Sequence, residues 1–258
     1  MSDMHWKTAV TKVQSNQINI RGYKVDELMG NVSFAQMVYL LFKGDLPSEE
    51  TGKMIEAILV SSADHGTTPP SALSAITVAS TGASLNASVA AGILAISNFH
   101  GGAIEECMHI LLKARQIMQD QNLNPNDAAL AVISDYRERK QRIAGFGHRL
   151  HTNDPRTQKL FALAKLYNHS GIFIELALAI ELQLVKNLGK KLPINVDGAI
   201  AAVLCEMEFD PIFANAFFMI ARVPGLVSHI HEEITRYKPM RKIHPTDVEY
   251  DGPEDRTL

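Results

Sequence analysis

The chain has 258 residues, of which 46% are hydrophobic, so it can bury a full core as one large domain or two small ones. The formal net charge is −3, and no basic stripe or acidic block occurs, which argues against a nucleic-acid-binding protein. Only two cysteines are present and they form no CxxC pair, which indicates a reducing compartment and argues against a disulfide scaffold. Residues 1–10 lack the apolar core of a signal peptide, so we expect a cytoplasmic location.

A weak alternation of apolar and polar residues from Ser15 to Tyr23 predicts a short strand pair. From Ser33 the apolar period becomes helical, and the segment Gly44-Asp45-Leu46-Pro47 ends that first helix. Further helices are predicted over nine ranges: 51–61, 71–80, 85–98, 103–119, 125–138, 156–167, 171–188, 198–206 and 212–233. Because strand signals are scarce after residue 30, the fold class is all-α.

One stretch of the chain, residues 67–99, carries no charged side chain, so a membrane-spanning helix has to be considered there. Serine, threonine and asparagine occur throughout it, and prolines and glycines interrupt it, whereas a spanning helix is more uniformly apolar. The composition favours one or two buried helices whose small residues let neighbouring backbones approach closely. We therefore expect no membrane partner.

Three segments each place a group that can transfer a proton beside a glycine. They contain His100 in residues 99–103, His148 in residues 145–149 and Asp197 in residues 195–198. Two imidazoles and one carboxylate suffice for carbon–carbon bond chemistry next to a carbonyl, because one moves a proton, one polarises the carbonyl oxygen and one handles an alcohol oxygen. All three segments lie at breaks between predicted helices, where unpaired helix N–H groups favour bound anions.

Over nearly its whole length the sequence resembles the citrate synthase superfamily. The motifs that carry this resemblance occur in the family's order: Arg21-Gly22-Tyr23, Gly44-Asp45-Leu46-Pro47, Ala63-Asp64-His65-Gly66, His100-Gly101-Gly102-Ala103, Gly145-Phe146-Gly147-His148-Arg149, Asp154-Pro155-Arg156, Asn195-Val196-Asp197 and Ala221-Arg222. The resemblance implies an all-α fold with a large helical domain, a small helical domain and an active site in the cleft between them. We expect residues 1–100 and 208–258 to form the large domain and residues 101–207 to form the small one.

Two departures from the family's pattern narrow the resemblance. Only residues 48–62 fill a gap that holds a long helical region in citrate synthases, and the family's C-terminal Arg-Pro-Arg segment appears here as Ile243-His244-Pro245-Thr246. Both departures are similar to the citryl-CoA lyase module of ATP-citrate lyase. The expected activity is therefore cleavage of citryl-CoA to acetyl-CoA and oxaloacetate. A compact citrate synthase, or a related synthase acting on another 2-oxo acid, is the alternative enzyme.

The resemblance implies that His100, His148 and Asp197 form the catalytic group. In cleavage, His148 would accept the alcohol proton, His100 would stabilise the thioester enolate, and Asp197 would deliver the proton to carbon. Asp197 has a second interpretation as a mere helix N-cap.

The resemblance also implies that His65, Arg156 and Arg222 bind the carboxylates and adjacent oxygen of oxaloacetate, a task that suits the planar fork of arginine. Each arginine has an alternative interpretation, Arg156 as a surface residue at a helix start and Arg222 as a buried ion-pair partner. His229 and His231, on the predicted late helix, are interpreted as structural.

Coenzyme A is implied as part of the thioester substrate and product, with no permanently bound cofactor. The loop that resembles the family's adenine-recognition loop consists of Ile143, Ala144, Gly145, Phe146 and Gly147. The preceding basic residues either meet the phosphates of CoA or form a solvated helix end: Arg137, Arg139, Lys140 and Arg142. No grouping has metal-site spacing, so no metal is predicted.

The expected partners are a small-molecule CoA thioester and further copies of the chain, as a homodimer or higher homo-oligomer. Nothing in the sequence resembles an ATP-grasp or a CoA-ligase phosphate loop, so citryl-CoA would have to come from a separate citryl-CoA synthetase. A non-catalytic CoA-binding assembly subunit is the alternative outside enzymes. The intact set of His100, His148 and Asp197 argues against that alternative.

Overall fold

The computed structural model describes residues 6–147, 154–189 and 192–241, together with Gly252. The described part opens with a three-stranded antiparallel sheet in the order β1-β2-β3, comprising β1 (Thr11–Gln14), β2 (Gln17–Ile20) and β3 (Tyr23–Lys24). Helices follow: α1 (Val25–Leu28), α2 (Phe34–Lys43), α3 (Glu49–Ser62), α4 (Pro70–Ser80), α5 (Leu85–Leu94), α6 (Ala103–Asp120), α7 (Pro125–Glu138), α8 (Pro155–Leu166), α9 (Ile172–Leu188), α10 (Val196–Glu206) and α11 (Ala214–Arg236). The predicted all-α class is confirmed, and the N-terminal strand signal corresponds to this small sheet.

Local capping explains why the helices start where they do. Ser33 caps α2 through a reciprocal capping box with Gln36, and Ser48 caps α3 by accepting the Thr51 N–H. At the other end of α2, Gly44 adopts φ +96°, a left-handed conformation that glycine adopts without steric cost. From the sequence, the helical period that starts at Ser33 and the break at Gly44 predicted α2.

The charge-free stretch folds as two helices, α4 and α5, each too short to cross a membrane. The second helix ends at Leu94, four residues before the predicted end at Asn98. The reason is a tight turn in which the N–H and C=O of Ser97 both pair with the backbone of His100, at 2.8 Å each. The turn removes these residues from the helical ladder and delivers His100 to the site.

The start of α9 is held by a carboxylate from another helix rather than by a local cap. One carboxylate oxygen of Glu206, at the end of α10, accepts the backbone N–H groups of Gly171, Phe173 and Ile174 at 2.7–3.0 Å. These N–H groups at the helix start have no partner within the helix, and a negative charge there is also favoured by the helix dipole. The contact locks α9 against α10.

Within the described ranges, two separate clusters of buried side chains form the hydrophobic core. The larger one joins α2 and α3 to α6 through α10 and includes Phe217 at the start of α11. The smaller one joins α4 to the later half of α11 through Ala75, Ile76, Leu226 and Ile230. α11 thus belongs to both clusters. The division into a large and a small domain at residues 100 and 208 stays a prediction.

Within the described residues, one helical stretch, residues 211–236, is long and apolar enough to cross a membrane by length and composition alone. Core helices of soluble proteins meet the same criterion. This stretch buries Phe217, Leu226 and Ile230 in the two cores and a charged side chain, Arg222, beside them. We therefore interpret α11 as a core helix.

Candidate active site

Five of the six predicted catalytic and substrate-binding residues line one cavity of about 180 Å³: His65, His100, Arg156, Asp197 and Arg222. They come from the loop after α3, the turn after α5, and the helices α8, α10 and α11. The sixth, His148, lies outside the described residues. The cavity is therefore built from segments that are far apart in sequence and that only the fold brings together.

His100 is held as a neutral imidazole with a defined tautomer. Its Nε2 lies 2.8 Å from the hydroxyl of Ser71 and 3.4 Å from the backbone N–H of the same residue, at the start of α4. Because that backbone N–H can only donate, Nε2 accepts and the ring proton is on Nδ1. Burial, together with the positive charge of Arg222, lowers the pKa of His100 below its usual value. The ring can therefore donate one hydrogen bond from Nδ1 without carrying a charge.

Asp197 is a carboxyl group whose ionisation is disfavoured by its surroundings. Burial raises its pKa to about 6, against the opposing effect of the nearby guanidinium groups of Arg156 and Arg222. The N-cap of α10 is Asn195, whose side chain accepts the Gly198 N–H at 3.1 Å. Asp197 therefore has no capping role, and its carboxyl faces the cavity with a pKa suited to proton transfer near neutral pH.

A short backbone pairing ties the loop before His148 to the segment that carries Asp197. The N–H of Asn195 donates to the Gly145 carbonyl at 3.0 Å, and the N–H of Gly147 donates to the Pro193 carbonyl at 2.7 Å. The side-chain amide of Asn195 also donates to the carbonyl of Gly147 at 2.9 Å. The chain thus enters the His148 segment from a position fixed against Asn195.

Glycine is required where this pairing brings two backbones together. A Cβ placed on Gly198 would lie 2.3 Å from the carbonyl oxygen of Gly145, far inside van der Waals contact. A Cβ on Gly145 would lie 2.6 Å from the sulfur of Cys107 and 2.8 Å from the Cα of Gly198. Both glycines of the predicted motifs therefore serve close backbone approach.

Arg222 is buried, with 3% of its surface exposed, and it is held from two sides. Its Nε donates to the carbonyl of Ser62 at 3.0 Å, and its guanidinium lies 4.7 Å from the ring centre of Phe218. Its Nη1 is buried and has no hydrogen-bond partner among the residues that the structure describes. An unpaired buried guanidinium nitrogen beside the cavity fits a substrate oxygen or carboxylate, because leaving it unpaired is costly.

Arg156 is fixed at the start of α8 by its neighbour in sequence. Nε and Nη2 form a two-point contact with the carboxylate of Asp154, at 3.0 and 2.8 Å, while Asp154 also accepts the backbone N–H of Arg156. Asp154 is buried, with 1% of its surface exposed. The arginine therefore lines the cavity in a fixed position, which differs from the alternative of a free surface residue.

A larger cavity of about 610 Å³ lies between α7, α9 and the loop before His148. Ile143, Phe146 and Gly147 of the predicted adenine-recognition loop line it, whereas Ala144 and Gly145 do not. Three of the four basic residues also line it: Arg137, Lys140 and Arg142. The fourth, Arg139, pairs instead with the carboxylate of Asp135 at 2.7 Å. In the described ranges no group of three metal-binding side chains is close enough to hold an ion.

Three residues of the site were not predicted from the sequence. Ser71 orients His100, Asn195 caps α10 and holds Gly147, and the ring of Phe218 contacts His100 edge-on at 5.6 Å and Arg222 on its face. The position of Asn195 before a glycine-containing helix start is a capping signal that could have been recognised. Neither Ser71 nor Phe218 has a local signal, because their roles depend on a partner from another helix.

The fold and the site define a member of one enzyme family. Residues 48–246 match the family described as "Citrate synthase, C-terminal domain". Because the match covers more than half of the chain, the chain belongs to the citrate synthase family.

Within this family, the chain is similar to the citryl-CoA lyase from Hydrogenobacter thermophilus. The two share 44% identity and a TM-score of 0.88, over 98% of this chain and 97% of that one. A mutant ATP citrate lyase from Methanosaeta concilii, solved with (3S)-citryl-CoA, has a TM-score of 0.84 at 22% identity, covering 99% of this chain and 43% of that one. That second likeness shows the fold alone.

A curated relative is larger than this chain. The ATP-citrate synthase beta chain protein 1 of Oryza sativa subsp. japonica is 29% identical over an alignment of 230 residues, and the alignment covers 82% of this chain. The chain thus spans only 36% of the length of that relative.

Proposed function

We propose that the protein is a citryl-CoA lyase that cleaves citryl-CoA to acetyl-CoA and oxaloacetate. The observation that carries the proposal is the end-to-end similarity, at 44% identity, to a citryl-CoA lyase. The site supports it, because a neutral hydrogen-bond donor, a carboxyl with a raised pKa and two arginines face one small cavity. These are the groups that a retro-Claisen cleavage needs.

The cleavage involves two proton transfers and the breaking of one carbon–carbon bond. A base takes the proton from the tertiary alcohol, the alcohol oxygen forms the ketone of oxaloacetate, and the carbon–carbon bond gives its electron pair to the thioester as an enolate. His148 is the predicted base and lies outside the described residues. Asp197 then delivers its proton to the enolate carbon, which becomes the methyl group of acetyl-CoA.

His100 and Asp197 fit their roles for electrostatic reasons. A neutral Nδ1–H of His100 stabilises the enolate oxygen without the penalty of burying a positive charge beside Arg222, and removal of one such donor costs about 10²–10³ in rate. Cleavage needs the protonated form of Asp197. A pKa of about 6 leaves roughly a tenth of the molecules in that form at pH 7, whereas an ordinary aspartate would be almost fully ionised.

We place the nucleotide end of CoA in the larger cavity. Its wall combines apolar side chains from α7 and α9, suited to adenine, with the cations Arg137, Lys140 and Arg142, suited to phosphates. Gly147 lines this cavity, and its carbonyl is held by Asn195, which lines the smaller one. A thioester arm passing this pair would reach the catalytic group.

The CoA placement is tested by two separate alanine substitutions, one at an arginine that lines the cavity and one at an arginine that does not. Arg142→Ala is expected to raise the KM for citryl-CoA about tenfold with kcat little changed, because a phosphate contact contributes to binding in the ground and transition states alike. Arg139→Ala is the matched control, since Arg139 pairs with Asp135 away from the cavity wall, and it should change neither constant. Equal effects of both substitutions would contradict the placement.

The activity is tested by incubating the purified protein with (3S)-citryl-CoA and following oxaloacetate release, beside the reverse reaction with acetyl-CoA and oxaloacetate. Rapid cleavage without ATP and with little free citrate is the expected result. Efficient release of citrate and CoA from the synthesis mixture would instead identify a compact citrate synthase.

The role of Asp197 is tested in the same assays. Asp197→Asn should lower turnover about 10²–10⁴-fold, because a positioned proton donor contributes a factor of that size. Asp210→Asn is the matched control, since Asp210 only caps the 3-10 turn before α11, and it should leave turnover unchanged. Unchanged turnover in Asp197→Asn would refute the mechanism.

We further propose that the chain acts as a homodimer or higher homo-oligomer. The small-residue helices α4 and α5 expose large apolar side chains, Leu73, Leu85 and Leu94, which favours coverage by another copy. Sedimentation equilibrium should give at least twice the chain mass of 28.4 kDa. A single-chain mass at all concentrations would contradict the proposal.

We also propose that the reaction occurs in the cytoplasm on citryl-CoA supplied by a separate citryl-CoA synthetase. The location is supported by the two cysteines, which are both free and buried, as is usual in a reducing compartment. The separate synthetase is proposed because no ATP-binding loop is recognisable within the 258 residues. Cell fractionation tests the location. The purified protein mixed with citrate, ATP and CoA should yield oxaloacetate only after a citryl-CoA synthetase is added. Oxaloacetate formation without the synthetase would contradict the proposal that citryl-CoA is made by a separate enzyme.

A further inference from the structure

One face of α11 holds the loop that carries His65 at three consecutive points. Arg222, Gly225 and His229 are spaced three and four residues apart, so they share that face. Arg222 donates to the carbonyl of Ser62, and Gly225 leaves room for the next carbonyl, because a Cβ there would lie 2.3 Å from the oxygen of Ala63.

The third point is a hydrogen bond between His229 and Asp64. The Nε2 of His229 donates to Oδ1 of Asp64 at 2.9 Å, across 165 residues of sequence. The other carboxylate oxygen, Oδ2, accepts the N–H of Gly66 at 3.0 Å. Asp64 and Gly66 are the two neighbours of His65, so the single carboxylate fixes the backbone on both sides of that histidine.

The charges around Asp64 agree with a fixed, ionised carboxylate. Although burial raises the pKa of Asp64, the hydrogen bonds from Gly66 and His229 outweigh it, and the pKa falls below its usual value. Beyond His229 lies Glu232, 3.8 Å from Nδ1, which is itself paired with Arg236. His229 is thus held through Nε2 by Asp64, while Glu232 lies beyond hydrogen-bond distance of Nδ1, and 15% of the His229 side chain is exposed.

We infer, resting on the proposed function, that His229 is a positioning residue that sets the place of His65 for the oxaloacetate moiety of the substrate. His229 does not line the catalytic cavity, so it acts through Asp64 rather than by contact. The same helix supplies the unpaired Nη1 of Arg222 to the cavity. α11 therefore sets the spacing between His65 and Arg222, two groups proposed to hold one small dicarboxylate.

The test is the dissociation constant of oxaloacetate, measured by calorimetry on the full chain, beside that of CoA. His229→Leu removes the donor and is expected to weaken oxaloacetate binding about tenfold with CoA binding unchanged. His229→Gln keeps an amide N–H at the reach of Nε2 and should bind oxaloacetate within twofold of the wild type. His231→Leu, an exposed histidine two residues further along α11, is the matched control and should change neither constant.

A purely structural role would give other results. Equal weakening of oxaloacetate and CoA in His229→Leu, or wild-type oxaloacetate binding in it, would overturn the inference. If the leucine variant does not fold, His229→Asn replaces it, because the shorter amide falls short of Asp64 and must weaken oxaloacetate binding where His229→Gln does not. Wild-type protein that binds CoA but no oxaloacetate would overturn the proposed function, and the role of His229 with it.

Discussion

Replacement of Asp197 by asparagine should stabilise the protein while it lowers turnover about 10²–10⁴-fold. The folded state raises the pKa of this carboxyl from 3.8 to about 6, so the ionised form is less favourable in the folded chain than in the unfolded one. Ionisation then costs up to about 3 kcal/mol of folding free energy at pH 8, since each pKa unit corresponds to about 1.4 kcal/mol. Asparagine keeps the shape and removes that cost, as active sites commonly exchange stability for function.

The stability gain of Asp197→Asn should increase with pH. A group whose folded pKa is raised binds its proton more tightly in the folded state, so the wild type loses stability as pH rises from 3.8 through 6. The stability gain of Asp197→Asn should therefore be about 3 kcal/mol at pH 8, about half of that at pH 5 and near zero at pH 3. Urea unfolding at each pH measures it as a shift of the midpoint at constant m-value.

A control and a refuting result follow from a second carboxylate. Asp64 has a lowered pKa, because hydrogen bonds from Gly66 and His229 outweigh burial, so Asp64→Asn should destabilise the protein at pH 8. A destabilised Asp197→Asn, or a gain that is equal at pH 5 and pH 8, would refute the electrostatic reasoning. In the second case the gain would come from packing.

Three further predictions concern the pH dependence of the reaction and two contacts that hold the helices together. Neither cleavage of citryl-CoA nor the reverse condensation consumes or releases a net proton. The kcat/KM values of the two directions should therefore follow one bell-shaped pH profile with a limb near pH 6. Different profiles in the two directions would argue against a proton on Asp197 that serves both reactions. Gly198→Ala should destabilise the protein by about 1–3 kcal/mol in urea unfolding and lower kcat, because its Cβ would force the Gly145 backbone away, and an unchanged midpoint would contradict the close contact. Glu206→Gln should lower the free energy of unfolding by about 1 kcal/mol, because a neutral amide oxygen accepts the three N–H groups at the start of α9 more weakly. Its kcat should stay at the wild-type value. A lower kcat at unchanged stability would contradict this purely structural role.

Elements with local signals could be predicted from the sequence. α7 was predicted with both ends correct, because Asn124 caps it, Pro125 occupies its first turn and the apolar period runs without interruption to Glu138. α5 was predicted four residues too long. Its apolar period continues to Ile96, and only the pairing of Ser97 with His100 ends the helix.

The site was predictable as a set of residues but not as a geometry. The resemblance to a family selected the five described residues that line the cavity, including His65 and Arg222. No sequence pattern indicates that Ser71 fixes the tautomer of His100, or that Arg222 keeps one nitrogen unpaired, since both facts depend on contacts between distant helices. The pKa of Asp197 likewise follows from burial, which the sequence does not contain.

The backbone pairing of residues 145–147 with 193–195 also constrains how the chain reaches its folded state. The amide of Asn195 meets the Gly147 carbonyl across 48 residues, a span that contains all of α8 and α9. Closing such a loop costs entropy that is recovered only once both helices have packed. We therefore expect the loop leading into His148 and the segment bearing Asp197 to pair only after α8 and α9 have folded between them, so that the helical framework forms before the catalytic residues meet.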